Sequence, residues 1–226
     1  MSVLLVVGTD TNVGKTVLVT ALAAYWEKYY SHKSLGLMKL LQTGVGDCEH
    51  YQTYFDASES ITLAETICFE EPLAPPLAAS REGREIPLQS IWQTLSDLKT
   101  KQDYTLVEAL GGLGSPVTQE LTVAELAQMW RLETVLLVPV KLGAIGQAVA
   151  NVALARQYQL RLRGIILSCF QPTSMEQLES WAPSDLIESL TRVPVLGMLP
   201  YFSNLGERNT LVQAISGIDL ERLLSL

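Results

Sequence analysis

The sequence has few of the residues that build disulfide frameworks, zinc sites or nucleic-acid surfaces. Its 226 residues include three cysteines and two histidines. The cysteines are widely spaced, so we expect neither a disulfide framework nor a metal cluster. Lysine and arginine number 16 against 24 acidic residues, which gives a net charge of −8. Because a nucleic-acid surface needs clustered positive charge, we expect small-molecule partners and no nucleic acid.

Long hydrophobic runs are also absent, although hydrophobic residues make up 48% of the chain. The apolar runs are too short to cross a bilayer, so we expect no membrane contact. The first strand pattern begins almost at residue 1 without a leader-like segment, which predicts a cytoplasmic protein. No linker, repeat or low-complexity segment interrupts the sequence. Its length therefore suits a single domain over residues 1–226.

The most informative segment is the string GTDTNVGKT at residues 8–16. An apolar run at 3–7 predicts a buried strand before it, and residues 17–30 have the apolar spacing of a helix. A strand that turns through glycines into a helix directs backbone N–H groups and a positive partial charge at a phosphate. In such a loop Lys15 reaches the β- and γ-phosphates and the Thr16 hydroxyl ligates Mg²⁺.

Charged side chains follow two further predicted strands. Lys39 comes directly after the apolar run 34–38, and Glu108 ends the strand pattern that begins at residue 104. The carboxyl ends of parallel strands share one edge of a sheet, so both side chains should lie near the phosphate loop. Asp47 opens a predicted helix and is the preferred further Mg²⁺ ligand, with Glu49 as the alternative. A helix-capping role for Asp47 is compatible with ligation.

The order of elements predicts the fold class. Strands alternate with helices, and charged residues recur at strand ends. This pattern is typical of an α/β protein with a doubly wound, mostly parallel sheet, here of the P-loop NTPase kind.

The phosphate loop has an unusual spacing that suggests a family. Five residues separate its glycines, whereas the usual loop has four. In this form it closely resembles the loop of the dethiobiotin synthetases. Further segments resemble that family in the same order, including KLLQTG at 39–44, VEALGG at 107–112, VKLGAIG at 140–146 and LGMLPYF at 196–202.

The resemblance implies an ATP- and Mg²⁺-dependent carbon–nitrogen ligase of biotin synthesis that works as a homodimer. Its substrates would be diaminononanoate, CO₂ or bicarbonate, and ATP. An amine would capture CO₂ as a carbamate, ATP would phosphorylate it, and the second amine would close a cyclic urea. Lys15 and Lys39 would be the catalytic cations, and Thr16, Asp47 and Glu108 the metal ligands.

The resemblance also implies a set of binding residues. Nucleotide contacts are expected from Asn12, Val13, Gly14, Lys15, Thr16, Val17, Asp47, Glu108, Gly111, Ser168, Cys169, Pro200, Tyr201, Phe202 and Glu207. Substrate contacts are expected from Thr11, Lys39, Thr43, Gly143, Ala144 and Ile145. The last three would receive the substrate carboxylate from the partner subunit. Lys141 could serve either the structure or the dimer contact.

Two departures from the family pattern leave alternatives open. Ala109 and Leu110 replace a Gly-Ala pair, and the added side chains are expected to narrow the pocket. Ser168 and Cys169 replace an Asn-Asp pair whose amide reads adenine, and they offer fewer strong hydrogen-bonding groups. One alternative is therefore a repurposed relative without this activity. Another is a partitioning-type ATPase switch, although those loops carry a lysine where this one has Thr9.

Overall fold

A parallel β-sheet lies at the centre of the computed structural model, which describes residues 2–203, 206 and 208–225. The strands are β1 Ser2–Gly8, β2 Leu35–Lys39, β3 Gln42–Thr43, β4 Ile61–Leu63, β5 Cys68–Phe69, β6 Tyr104–Gly112, β7 Glu133–Pro139, β8 Arg161–Ser168 and β9 Val195–Leu199. The α-helices are α1 Lys15–Tyr29, α2 Asp47–Phe55, α3 Pro75–Arg81, α4 Leu88–Lys101, α5 Val123–Met129, α6 Ala144–Gln157, α7 Met175–Trp181, α8 Ser184–Thr191, α9 Arg208–Ala214 and α10 Leu220–Leu224, with a 3₁₀ turn at Ile215–Gly217.

The order of the strands places β1 in the middle of the sheet. Over the described residues it reads β4-β2-β6-β1-β7-β8-β9, and β3 and β5 form a separate pair. Every pairing between these strands is parallel. The chain leaves β1 through the phosphate loop and returns beyond β6 to form β2, so the loop lies at a switch point where ligands bind in such sheets. The predicted doubly wound α/β sheet is confirmed.

Strand alternation divides the apolar residues between the two faces of the sheet. On β1, Leu4 and Val6 pack with the α1 residues Leu18 and Leu22. Leu5 belongs to the cluster on the opposite face, which also contains apolar residues of α4, α5 and α6. Since successive side chains of a strand point to opposite faces, an almost continuous apolar strand needs helices on both sides.

The positions of the predicted elements agree closely with the structure. The strand expected at 3–7 spans Ser2–Gly8, and the helix expected at 17–30 spans Lys15–Tyr29. The helix begins two residues early because Gly14, at its N-cap, adopts a left-handed conformation with φ of 90° that ends the loop. Among the described residues, no helix is both long and apolar enough to cross a membrane.

Gly197 in β9 provides a test of the packing at the edge of the sheet. Its φ is +143°, and an added Cβ would lie 2.5 Å from the Gly217 carbonyl oxygen and 2.8 Å from Ile218 Cα. Backbone atoms cannot move aside cheaply, so Gly197→Ala is expected to lower the free energy of unfolding by about 1–3 kcal/mol. Urea titration of both proteins measures the difference.

The matched control is Gly217→Ala, since a Cβ on Gly217 would meet no atom within 4 Å. This variant is expected to stay within about 0.5 kcal/mol of the wild type. Equal stability of the two variants would contradict the assigned contact.

Candidate active site

The phosphate loop connects β1 to α1 over residues 9–14. A Cβ on Gly14 would lie 2.8 Å from Ser168 Oγ, so a side chain at this position would collide with the end of β8. Lys15 Nζ donates a hydrogen bond of 3.0 Å to the Asp10 carbonyl oxygen and therefore lies along the loop. Burial lowers the pKa of Lys15 to about 8, although the nearby Glu108 acts in the opposite direction. A bound phosphate would favour the charged form of this lysine.

Lys39, the last residue of β2, and Glu108, in the middle of β6, form an ion pair. The two residues face each other in the parallel register of these strands. Lys39 Nζ lies 2.8 Å from Glu108 Oε1, and the residues are 5% and 1% exposed. Lys39 also donates to Asp47 Oδ2, at the first position of α2. One buried ammonium thus holds together two carboxylates from separate elements.

The electrostatics of this cluster favour its charged form. Burial alone would lower the pKa of Lys39, but Glu108 and Asp47 outweigh it and raise that pKa. Burial would likewise raise the pKa of Asp47, yet Lys39 outweighs it and lowers that pKa. Loss of Lys39 would leave the buried Glu108 carboxylate without its counter-charge, which is destabilising.

Three oxygens of this cluster suit a magnesium ion. Thr16 Oγ1 lies 2.7 Å from Asp47 Oδ1 and 3.0 Å from Glu108 Oε1. Hydroxyl and carboxylate oxygens match the preference of Mg²⁺. The part of the chain that the structure describes has no group of three or more His, Cys, Asp or Glu side chains placed to hold a metal. Mg²⁺ commonly binds through one or two carboxylates together with waters and phosphate oxygens, so Thr16, Asp47 and Glu108 could hold it.

The alternative ligand Glu49 points elsewhere. Its Oε2 accepts hydrogen bonds from the Gly46 N–H at 2.8 Å and from Gln42 Nε2 at 3.1 Å. These contacts close the first turn of α2 and hold Glu49 beside Gln42. Asp47, two residues earlier, is the acid that meets Thr16 and Lys39.

A cavity of about 250 Å³ opens onto the cluster and collects most of the predicted catalytic and phosphate-binding residues. Of the sequence-predicted residues, those that line it are Thr11, Asn12, Val13, Gly14, Lys15, Thr16, Lys39, Thr43, Asp47, Glu108 and Gly111. Leu110 also lines this cavity, whereas Ala109 is buried in the core. Of these two departures from the family pattern, only Leu110 therefore narrows the pocket.

A second cavity of about 310 Å³ lies on the other side of the phosphate loop. The predicted residues that line it are Asn12, Gly14, Thr16, Val17, Ser168, Cys169, Pro200, Tyr201 and Phe202. Since it shares three of these with the first cavity, the two form neighbouring parts of one site along the loop. Glu207, the remaining predicted nucleotide contact, lies outside the described residues.

The polar groups at the end of β8 have limited access to the second cavity. Ser168 is 1% exposed, and the Cys169 N–H donates to the Leu199 carbonyl oxygen at 2.9 Å. Burial raises the pKa of the Cys169 thiol. Phe170 and Tyr201, in contrast, are 40% and 42% exposed and line the cavity. Aromatic surface therefore dominates the accessible part of this wall.

The start of α6 lies apart from both cavities. Gly143 is the N-cap of the helix, with φ of 92°, and Ala144 and Ile145 form its first turn. None of these three residues lines either cavity. Gln147 of the same helix lies with its Oε1 3.2 Å from Thr9 Oγ1. Lys141 Nζ lies 3.6 Å from Asp10 Oδ2, so this lysine contacts the phosphate loop of its own chain.

Tyr51 and Phe170 are among the site residues that the sequence analysis did not identify. Tyr51 is buried and donates a hydrogen bond from its phenol to Glu108 Oε2. Burial and the adjacent Glu108 raise its pKa well above the usual value, so the phenol keeps its proton. Phe170 was also missed, although it follows Cys169 directly. The four-residue spacing from Asp47 to Tyr51 was a usable signal, because such residues share a helix face.

Comparison with solved structures identifies the general fold. A ParA family ATPase from Chlorobium tepidum aligns with 99% of this chain and 92% of its own, at a TM-score of 0.58 and 13% identity. The MinC:MinD cell division complex from Aquifex aeolicus gives a TM-score of 0.63 at 14% identity, with 100% and 96% covered. At such identities the likeness shows the fold alone.

Comparison with protein sequences is more specific. A profile of the AAA domain family matches residues 2–209. The ATP-dependent dethiobiotin synthetase BioD of Gloeothece citriformis is 60% identical over 226 residues, which is all of both chains. The corresponding protein of Crocosphaera subtropica is 56% identical, with 99% of this chain and 100% of the other covered. At this identity over its whole length, the chain belongs to the family of ATP-dependent dethiobiotin synthetases.

Proposed function

We propose that this protein closes the cyclic urea of dethiobiotin from 7,8-diaminononanoate, CO₂ and ATP. The observation that supports this most directly is the buried Lys39 beside Lys15 in one cavity. The reaction passes through anionic intermediates, which fixed cations stabilise. The names of the relatives, at 56–60% identity, point to the same activity.

The proposed chemistry has three steps. One substrate amine attacks CO₂, forming a C–N bond and losing a proton to water, to give a carbamate. A carbamate oxygen then attacks the γ-phosphorus of ATP, and ADP leaves. Finally the second amine attacks the carbonyl carbon, a proton is lost and phosphate departs. These steps depend on positioning and electrostatic stabilisation more than on a strong side-chain base.

Each charged residue of the first cavity has a role in this scheme. Lys15 binds the β- and γ-phosphates of ATP, and Lys39 stabilises the negative charge of the carbamate and of the carbamic–phosphoric anhydride formed from it. Thr16, Asp47 and Glu108 hold Mg²⁺, which neutralises phosphate charge when bound. Because Lys39 is held between Asp47 and Glu108, its ammonium is fixed before substrate arrives.

In this proposal, different parts of the nucleotide bind in the two cavities. The triphosphate lies along residues 12–17 and Gly111, where loop N–H groups and the α1 N-terminus favour negative charge. The base lies in the second cavity against Pro200, Tyr201 and Phe202, near Ser168 and Cys169. Thr11 and Thr43, which line the first cavity, contact the diaminononanoate.

The substrate carboxylate binds in this proposal at the first turn of α6 from a partner subunit. Gly143, Ala144 and Ile145 line neither cavity of their own chain, and in this proposal a second copy supplies them. The neighbouring Leu142 is 83% exposed, which suits a residue covered by another chain.

Sedimentation of the active enzyme is expected to show a homodimer, and full activity as a monomer would contradict this assignment.

The direct test measures dethiobiotin formed from diaminononanoate, bicarbonate and ATP, by mass spectrometry. Product that requires all three substrates and Mg²⁺ is expected. ATP hydrolysis without product would instead favour a repurposed relative, for which the replacements at Leu110 and Ser168 offer a physical reason.

Removal of the Lys39 charge tests its role at the reacting centre. Lys39→Ala is expected to lower kcat by roughly 10²-fold or more, the usual effect of losing one preorganised donor. Lys39→Arg should not restore full turnover, because a planar guanidinium does not replace a compact ammonium. Lys101→Ala is the control, since this lysine side chain is 71% exposed at the end of α4. Near-normal turnover of K39A would remove Lys39 from the mechanism.

A comparison of three acids tests the metal ligands. Glu108→Gln and Asp47→Asn keep shape but remove charge, so each should raise the half-saturating Mg²⁺ concentration by about tenfold or more. Glu49→Gln is the matched control, because Glu49 faces Gln42 and the Gly46 N–H. Activity is followed across a magnesium titration for each variant. A shift in E49Q but not in D47N would reverse the assignment of Asp47.

The second cavity predicts weak discrimination between bases. A bidentate amide contact to adenine contributes about 1–3 kcal/mol of selectivity, and Ser168 and Cys169 cannot supply one. Stacking on Phe170 and Tyr201 accepts any base. We expect CTP and GTP to support kcat/KM within about tenfold of ATP, and Tyr201→Ala to lower all values alike. A preference for ATP above about a hundredfold would show that another group reads the base.

A further inference from the structure

Tyr51 occupies an unusual position for a core tyrosine. It lies on α2 four residues after Asp47, so the two side chains project from the same face of the helix, one turn apart. Asp47 contacts Lys39 and Thr16, whereas Tyr51 reaches past them to Glu108 on β6. A single helix therefore brings two groups to the same cluster, one charged and one neutral.

The two oxygens of Glu108 have different partners. Oε1 lies 2.8 Å from Lys39 Nζ and 3.0 Å from Thr16 Oγ1, on the side of the first cavity. Oε2 accepts the hydrogen bond from the Tyr51 phenol. Glu108 is 1% exposed and Tyr51 is 3% exposed, so water has little access to this pair.

We infer that Tyr51 is a positioning residue that holds Glu108 with its Oε1 toward Thr16 and the metal position. This inference rests on the proposed Mg²⁺-dependent function and adds a residue to it. When a neutral donor binds one oxygen of a carboxylate, the carboxylate cannot turn about its terminal C–C bond without breaking that hydrogen bond. Partners of this kind orient metal ligands, and their loss typically costs 10–100-fold in metal affinity.

The ring and the hydroxyl of Tyr51 have separate roles, because the ring packs in the core and the hydroxyl donates to Glu108. The ring belongs to an apolar cluster with Phe55, Leu37 and Ile61, so Tyr51→Phe keeps these contacts and is expected to fold. The loss of the hydroxyl would leave Glu108 Oε2 buried without its donor. Oε2 could regain a partner only if the carboxylate turned about its terminal bond, and that turn would move Oε1 away from Thr16.

The test compares Tyr51→Phe with Tyr104→Phe. Tyr104 is also buried, belongs to the same apolar cluster and begins the strand that carries Glu108. Both variants remove the phenol hydroxyl of a buried tyrosine, but of the two only Tyr51 donates a hydrogen bond to Glu108. ADP affinity is measured by calorimetry with Mg²⁺ and with EDTA, and the half-saturating Mg²⁺ concentration is measured by activity. Circular dichroism and thermal unfolding report on the fold.

The expected result for Y51F is a rise of about tenfold in half-saturating Mg²⁺ concentration. The gain in ADP affinity from Mg²⁺ should shrink, whereas ADP affinity in EDTA should match the wild type. Y104F should behave as the wild type in both measurements. An unchanged magnesium dependence of Y51F, or an equal loss of ADP affinity with and without Mg²⁺, would overturn the inference.

A double variant separates an effect through Glu108 from a general one. If Tyr51 acts through Glu108, adding Y51F to E108Q should cause no further shift in the Mg²⁺ dependence of ADP binding. Independent effects that multiply would contradict the assigned role. The binding measurements need no diaminononanoate, so they test Tyr51 even if the wild type forms no dethiobiotin. In that case only the proposed function would fail.

Discussion

The buried ion pair between Lys39 and Glu108 is the interaction on which the site depends. Two adjacent parallel strands carry opposite charges at matching register positions, so the pairing of the strands brings the two charges together. Both residues are almost fully buried, and each needs a counter-charge close by. The pair therefore requires β2 and β6 to align correctly, and it places an ammonium and a carboxylate beside the phosphate loop.

The second constraint is the helix that covers this pair. α2 begins at Asp47, whose carboxylate accepts from Lys39, and one turn later Tyr51 donates to Glu108. The start of α2 is itself fixed by Glu49 and Gln42, which bind the Gly46 N–H and the Cys48 N–H. Capping, ion pairing and core packing thus act on the same nine-residue helix. Loss of Lys39 or Tyr51 would remove a contact that holds a proposed metal ligand.

The phosphate loop separates two environments of different character. On the side of Lys15 and Lys39, charged and polar groups line the cavity, which suits phosphates and a reacting carbamate. On the side of Phe170 and Tyr201, exposed aromatic rings predominate, which suits a planar base. A nucleotide bound across the loop would therefore meet electrostatic recognition at one end and stacking at the other.

The sequence by itself determined the alternating α/β order, the phosphate loop and the family, because these depend on local patterns and motifs. It also predicted that Lys39 and Glu108 lie close together, although it placed Glu108 at a strand end and the structure places it within β6. Only the tertiary structure shows that Asp47 faces Lys39 whereas Glu49 faces Gln42. It also revealed Tyr51 and the burial of Ser168. The Tyr51–Glu108 contact joins residues 57 positions apart, and local sequence patterns carry no information on which distant side chains meet.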